Sequence, residues 1–426
     1  MAKISPFRGV VYNKDAAGDI SRLICPPYDV ISPDRQKYFH DLSPYNFIHL
    51  ELSRDIAGQD KYERAAGYFQ DLLKKEVLVR DMSPAVYFYR QEYSIKGEKR
   101  CRVGFFALLK LEEQRSSVFG HENTHQEAKE DRLKLIRQVK ANLSPIFVIF
   151  EDKKKAVSQS LLPAIRNKEP FISVTDDEKT QHKLWRLDDP LLLKKVQEKM
   201  ADENIFIADG HHRYEVACSW RDEMKKKTSS STGEESFNYV LAYFTNIDPL
   251  GLTVLPIHRL VKLDSRPDIT ALNAKLNQYF SVEEIKDRVR FFFLLAKAGV
   301  AEHVIGMYNS RRFWLLRLRN VRVLDKLMTD KPAEYRNLDV SILNAVVLER
   351  ILNIDINDKK VLKYSADTEE LLREADNDLC QAAFFLNPTK ISQITAIAIK
   401  GEKMPPKSTY FYPKVASGLV VNKHEE

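Results

Sequence analysis

The sequence predicts a mixed α/β (α+β) protein, and three observations carry that reading. Helical periodicity alternates with short apolar runs along most of the 426 residues. Two of those runs, P-I-F-V-I-F at 145–150 and I-F-I-A at 205–208, have the length of buried strands. Near Val261 the pattern changes to helix, short strands such as F-W-L-L-R-L-R-N, and helix again, which reads as an inserted or second α+β domain. The expected organisation is a main domain over 1–262, an insertion over 263–360, and C-terminal strands and a closing loop over 361–426 that return to the main domain.

Taken in order, Tyr62 to Leu78 is an amphipathic helix with Tyr62, Ala65, Ala66, Phe69, Leu72 and Leu73 on one face. From Ala85, two strands flank a Lys96–Gly97 turn. A polar segment, Ser116 to Glu130, leads into a helix through Lys140 and the strand to Phe150. Asp188, Asp189 and Pro190 form a helix start, with capping carboxylates and then proline in the first turn. That helix feeds the strand Ile205 to Ala208, and a second helix follows Arg213 with Val216, Ala217, Trp220 and Met224 inward. K-K-K-T-S-S-S-T-G-E-E-S is a loop by composition, and strands follow at Tyr239 to Thr245 and Leu252 to Pro256.

Composition narrows the function classes. Hydrophobic content of 44% with 30% charged residues is that of a globular chain. No apolar run reaches the length of a membrane span, and M-A-K-I-S-P-F-R-G-V lacks a signal region, so the expected compartment is the cytoplasm. Cys25, Cys101, Cys218 and Cys380 show no paired spacing, which argues against disulfides and a Cys-rich zinc site. A net charge of +7 spread over this length suits anionic small molecules, and the absence of a long basic stripe argues against nucleic acid.

The densest chemistry lies at I-F-I-A-D-G-H-H-R-Y-E-V-A, where a strand runs into Asp209, Gly210, His211, His212 and Arg213. Free amides and the dipole of a helix start attract anions, Arg213 adds a fork for phosphate or carboxylate, and both histidines titrate near neutral pH. Asp209 could orient a histidine or hold Mg²⁺; alternatively it merely caps the helix.

His121-Glu122-Asn123-Thr124-His125 spells the H-E-x-x-H zinc pattern, but Asn and Thr make a poor helix interior and no third ligand is near, so no zinc is expected. Lys129, Asp131 and Arg132 could hold a charged substrate or simply solvate a first helical turn. C-P-P-Y-D-V-I-S-P presents Asp29 on a rigid loop, as a turn residue or a base. M-P-P-K-S-T-Y-F-Y-P-K places Lys407, Ser408, Thr409 and Lys414 in a proline-framed loop whose residue types suit phosphate, though Walker A spacing is absent.

Together, S-P-F-R-G-V, C-P-P-Y-D-V-I-S, the H-E-x-T and K-x-D-R pair, A-N-L-S-P-I, A-D-G-H-H-R-Y-E, L-P-I-H-R-L, L-N-P-T and M-P-P-K-S-T-Y-F-Y-P-K resemble the domain of unknown function 1015 family, from about Ser5 to Val420. The D-G-H-H-R core is also similar to the ParB/sulfiredoxin superfamily, which includes a free-serine kinase. That resemblance implies a ParB/sulfiredoxin-like core with an elaborated N-terminal region. It implies nucleotide-dependent phosphoryl transfer, with ATP or ADP and Mg²⁺, to a small hydroxyl-bearing metabolite, in serine metabolism. Tyr214 stands where ParB has a second arginine and His211 where sulfiredoxin has its cysteine, which disfavours both of those activities.

Carried over, Asp209 is a metal- or substrate-orienting acid and Gly210 to Arg213 hold phosphates. Asp29, with Glu122 second, is the base. His121, Thr124, Lys129, Asp131, Arg132, Asn142, His258, Arg259 and Lys414 line the pocket, with Lys407, Ser408 and Thr409 on the phosphates. The inserted domain is a cover or homodimer surface. The alternative is a nucleotide-binding switch without turnover.

Overall fold

The computed structural model describes residues 2–112, 117–228, 232–248, 250–262, 268–358, 360–377 and 382–425. Cys380 and part of the K-K-K-T-S-S-S-T-G-E-E-S loop lie outside them. The chain forms two compact units, Met1–Thr253 with Pro413–Glu426, and Val254–Tyr412.

The first unit is built on a nine-stranded mixed sheet. Its strands are β1 (Ile4–Ser5), β2 (Val86–Ile95), β3 (Glu98–Lys110), β4 (Val118–Gly120), β5 (Ile146–Phe150), β6 (Ile172–Thr175), β7 (Gln181–Leu187), β8 (Ile205–Asp209) and β9 (Tyr239–Asn246). They run in the order β4-β8-β5-β9-β3-β2-β7-β6, with β1 pairing β3. The expected hairpin is β2–β3, turning through Lys96 (φ 49°) and Gly97 (φ 82°). Two consecutive left-handed residues match the twist of paired strands. Strands β5 and β8 are buried along their whole length, as continuous apolar runs should be in the middle of a covered sheet.

One face of the sheet carries the main apolar core, including Phe105, Ile146, Val148, Ile205, Ile207, Val240 and Phe244. Leu193, Val196 and Met200 from the helix Pro190–Met200, which Asp189 caps at the Leu191 and Leu192 amides, close it. The other face is aromatic. Tyr89, Phe106, Phe147 and Tyr243 pack with centroids 5.0–5.4 Å apart. Arg102, 1% exposed, lies 4.6 Å over Phe147 and bonds Gln91 and the Pro413 carbonyl, 2.5 Å. It fastens the returning C-terminal segment to the sheet.

Amphipathic patterning carries the helices. Lys61–Lys74 is capped by Asp60 and buries Ala65, Phe69 and Leu72; it stops before Leu78, which opens a short strand instead. Gln126–Val139 and His211–Lys227 meet through Ile136, Val216 and Trp220.

The second unit holds a six-stranded sheet in the order Phe280–Ile285, Arg312–Leu318, Val304–Asn309, Ala382–Phe385, His258–Val261, Leu362–Ser365. Its core joins Leu260, Phe291, Leu295, Leu315, Leu371 and Phe385. This corrects the expected boundaries. The first two strands after 361 do not return to the main domain, because Leu362–Ser365 and Ala382–Phe385 both pair antiparallel with His258–Val261, whereas Asn422–Lys423 pairs back, with Ala141–Asn142. The second unit therefore starts at Val254, and the return begins only at Pro413. The predicted helix in L-D-V-S-I-L-N-A-V-V-L-E-R-I-L is α-helical over Asp339–Ile342 and π-helical over Leu343–Ile351.

Candidate functional site

Strand β8 reaches the site through a bulge. Ile207 pairs with Val148 but Asp209 pairs with Phe147, so Ala208 is an extra residue. Regular alternation would put Asp209 on the Ile207 face, inside the apolar core. The bulge turns it onto the Phe147 face instead. Gly210 then takes φ 89°, and the helix His211–Lys227 begins with no side-chain cap. The capping role considered for Asp209 is thus not its role: the N-cap is Gly210, and the carboxylate is used elsewhere.

Asp209 sits between two cations. Arg213 Nη2 lies 2.6 Å from Oδ2, and Lys414 Nζ bonds Oδ1. Burial pushes this carboxyl up, but Lys414 and Arg213 outweigh it and hold the group below its ordinary value. Arg213 also donates to the Pro145 carbonyl, giving the A-N-L-S-P-I motif its job. Gly210 cannot carry a side chain: φ is left-handed, and a Cβ would stand 3.0 Å from the Arg213 guanidinium. Gly210→Ala is expected to cost about 1–2 kcal/mol from the left-handed backbone and the displaced arginine, read as a lowered thermal midpoint; an unchanged midpoint would show that the turn relaxes freely.

Beside this triad stands a histidine layer. The His121 amide donates to His211 Nε2 (3.1 Å), so the neutral ring carries its proton on Nδ1, which faces Glu122 Oε2 at 3.2 Å. Burial raises the Glu122 carboxyl, but His211, His121 and Lys414 more than reverse this and leave it well below the usual carboxylate range. The His125 amide donates to His212 Nε2 (2.9 Å), which again leaves the proton on Nδ1. Burial and His125 lower the basicity of His212, keeping it neutral against the pull of Asp29 and Glu122. Asp29 is exposed on a single 3₁₀ turn, Tyr28–Val30, within electrostatic reach of Arg213 and His212.

The family model "Protein of unknown function (DUF1015)" matches residues 4–341. The chain belongs to the DUF1015 family. The match ends before L-N-P-T and M-P-P-K-S-T-Y-F-Y-P-K. No curated protein matches this DUF1015 chain. Among solved structures, free serine kinase mutated at one glutamate and bound to ADP covers 72% of this chain and 87% of its own, at 11% identity and TM-score 0.33. A conserved hypothetical protein from Pyrococcus furiosus covers 73% and 92%, at 13% identity and TM-score 0.32. SbnI with a C-terminal truncation, from Staphylococcus aureus, covers 73% and 85%, at 10% and 0.36.

Several expected pocket residues of the DUF1015 chain are occupied with holding the site together. Thr124 (2.6 Å) and Lys129 (3.2 Å) both bind Glu215, clamping 121–129 to the helix of His212. Asp131 takes Tyr62 (2.7 Å), Lys61 (3.2 Å) and Arg132, tying two helices. Asn142 spends its oxygen on the Leu241 amide (3.1 Å) and on Asn422 (3.0 Å). Residues 121–125 are not helical, since the helix starts at Gln126, so His121 and His125 do not share a helix face as H-E-x-x-H zinc binding needs. Lys407, Ser408, Thr409, His258 and Arg259 belong to the second unit.

Magnesium on Asp209 fits poorly: both oxygens are engaged by cations, and among the described residues no group of three metal-binding side chains gathers. No helix among the described residues is long and apolar enough to cross a membrane.

Sequence reading missed Glu51 and Tyr28. Glu51, 2% exposed, accepts from Ser144 (2.6 Å), while its carbonyl accepts from Arg132 (2.7 Å), whose guanidinium lies 4.3 Å over Tyr28. With Arg213 and Asn142 they line a cavity of about 60 Å³. A lone glutamate after I-H-L gives no signal in sequence. Only folding brings it to Ser144.

Proposed function

We propose that the Asp209 turn transfers a phosphoryl group from a nucleotide such as ATP or ADP to the hydroxyl of a small metabolite. The observation that carries this reading is an uncapped helix start, Gly210 to Arg213, beside two cations that share one carboxylate. Open first-turn amides, Arg213 and Lys414 are the groups that bind phosphate oxygens. Positioning and charge neutralisation supply most of the rate in such transfers.

Toward a phosphate, His212 is a donor, since its Nε2 already accepts from the His125 amide. His212, kept neutral with its proton on Nδ1, offers that N–H to a phosphoryl oxygen. Glu122 is too weak a base to remove a hydroxyl proton, because its neighbours hold it ionised; it fixes the His211 ring instead. Asp29, exposed on its loop and within electrostatic reach of Arg213 and His212, takes the role of base in this reading. Any Mg²⁺ would arrive on the nucleotide rather than on Asp209. The ParB/sulfiredoxin likeness of D-G-H-H-R belongs to this same reading.

One observation favours the alternative of a switch without turnover. Lys414 and Arg213 are already engaged with Asp209, so phosphate binding would compete with an existing ion pair and could release the Pro413–Glu426 return.

The test incubates protein with Mg²⁺, each of ATP, ADP and CTP, and a pool of hydroxyl metabolites including L-serine, and reads products by mass spectrometry. Asp29→Asn runs in parallel. A product lost in the variant, with the nucleotide-induced rise in melting temperature retained, supports the kinase. A melting shift without product supports the switch. Neither product nor shift defeats both.

A further inference from the structure

Arg259 in the second unit is 1% exposed, and among the described residues no carboxylate pairs with it. Its Nη1 donates to the Ile257 carbonyl, and Nη2 to the carbonyls of Pro406 (3.3 Å) and Lys407 (3.0 Å). The Tyr364 ring lies 5.3 Å from its centre. Nε is buried with no hydrogen-bond partner. Burial pushes the guanidinium down to about 10, against a small opposing effect of Tyr364.

A buried cation is normally paired with an anion, since dipoles solvate its charge without cancelling it. Here the surroundings are locked as a cradle. Lys407 takes a left-handed φ of 55°, Ser408 Oγ donates to the Pro405 carbonyl (2.5 Å), and Thr389 donates to the Ser408 carbonyl (2.9 Å). Arg259 borders a cavity of about 20 Å³, with Asp339, Asn387, Thr389 and Ser408 in its wall. Asp339 is turned to His303, 2.8 Å away. The volume admits one particle of about the size of a water molecule.

We propose that this cavity is a small-anion site, in which Arg259 Nε binds a monatomic anion such as chloride. The site belongs wholly to the second unit and does not rest on the phosphate reading of Asp209. It gives the L-P-I-H-R-L, L-N-P-T and M-P-P-K-S-T segments a shared purpose: His258–Val261 supplies the cation, and the two loops wall the cavity.

The full chain is melted in sodium chloride, or in sodium acetate or the sodium salt of HEPES, whose anions are too bulky to enter, at matched ionic strength. The expected result is a saturable rise of about 4 °C at tenfold above the apparent Kd with chloride and not with acetate or HEPES. A rise with acetate of the same size as with chloride overturns the proposal. Ser408→Ala, which keeps the cation, should weaken the effect severalfold; Arg259→Gln should abolish it if it folds. Crystals grown in bromide should show an anomalous peak within hydrogen-bond distance of Arg259. Equal melting in all three salts, or a water in place of bromide, overturns the proposal.

Discussion

Asp209→Asn is expected to cost about 3 kcal/mol of stability, because it leaves Arg213 and Lys414 as buried cations without their shared anion. All three side chains are only 11–13% exposed, so solvent does little to compensate. Adding Lys414→Met should return part of the loss, since it removes one stranded charge. The sign for ligand binding is opposite. If phosphate competes with Asp209 for Lys414 and Arg213, Asp209→Asn should bind ADP several-fold more tightly than wild type. Urea unfolding measures the first effect and calorimetric titration the second. A midpoint shift near zero would mean that the triad is solvated. Weaker ADP binding in a folded variant would mean that Asp209 is part of the phosphate site rather than its competitor.

His424 should make the first unit acid-labile. Trp220 Nε1–H donates to His424 Nδ1 at 3.2 Å, so the ring must stay neutral with its proton on Nε2. Burial, with a smaller push from Lys423, lowers its pKa to about 4 from the ordinary 6.5. A proton added at Nδ1 would set two donors against each other. The unfolded chain takes up that proton below pH 6.5 and the folded chain does not. The associated stability, about 3 kcal/mol for a shift of this size, is present above pH 6.5 and lost as the pH falls to about 4. His424→Phe keeps a ring against Trp220 without the titration. Its unfolding free energy should fall less steeply across that window. Equal slopes for variant and wild type would show that this histidine titrates normally.

The sequence made much of the fold legible. The β2–β3 hairpin is announced by Lys96–Gly97, the Pro190 helix by Asp189–Pro190, and strands β5 and β8 by unbroken apolar runs. These are local signals, set by turn geometry, caps and periodicity. Boundaries that depend on strand partners were not legible. Nothing within 361–385 says that its strands will join His258–Val261 rather than the first sheet, because pairing is chosen by register and topology.

The candidate site divides in the same way. By itself the sequence determined which residue types gather at Gly210 and that a strand gives way to a helix there. The tertiary structure alone decided what those groups do. A bulge at Ala208, visible only in pairing with β5, takes Asp209 off the core face. Lys414 arrives from 205 residues away to bind it. Glu215 claims Thr124 and Lys129, which look like ligands in the sequence. The physical reason is that charge and polarity are properties of residues, whereas a partner is a property of position: a buried charge must be matched by whichever group the folded chain brings within reach.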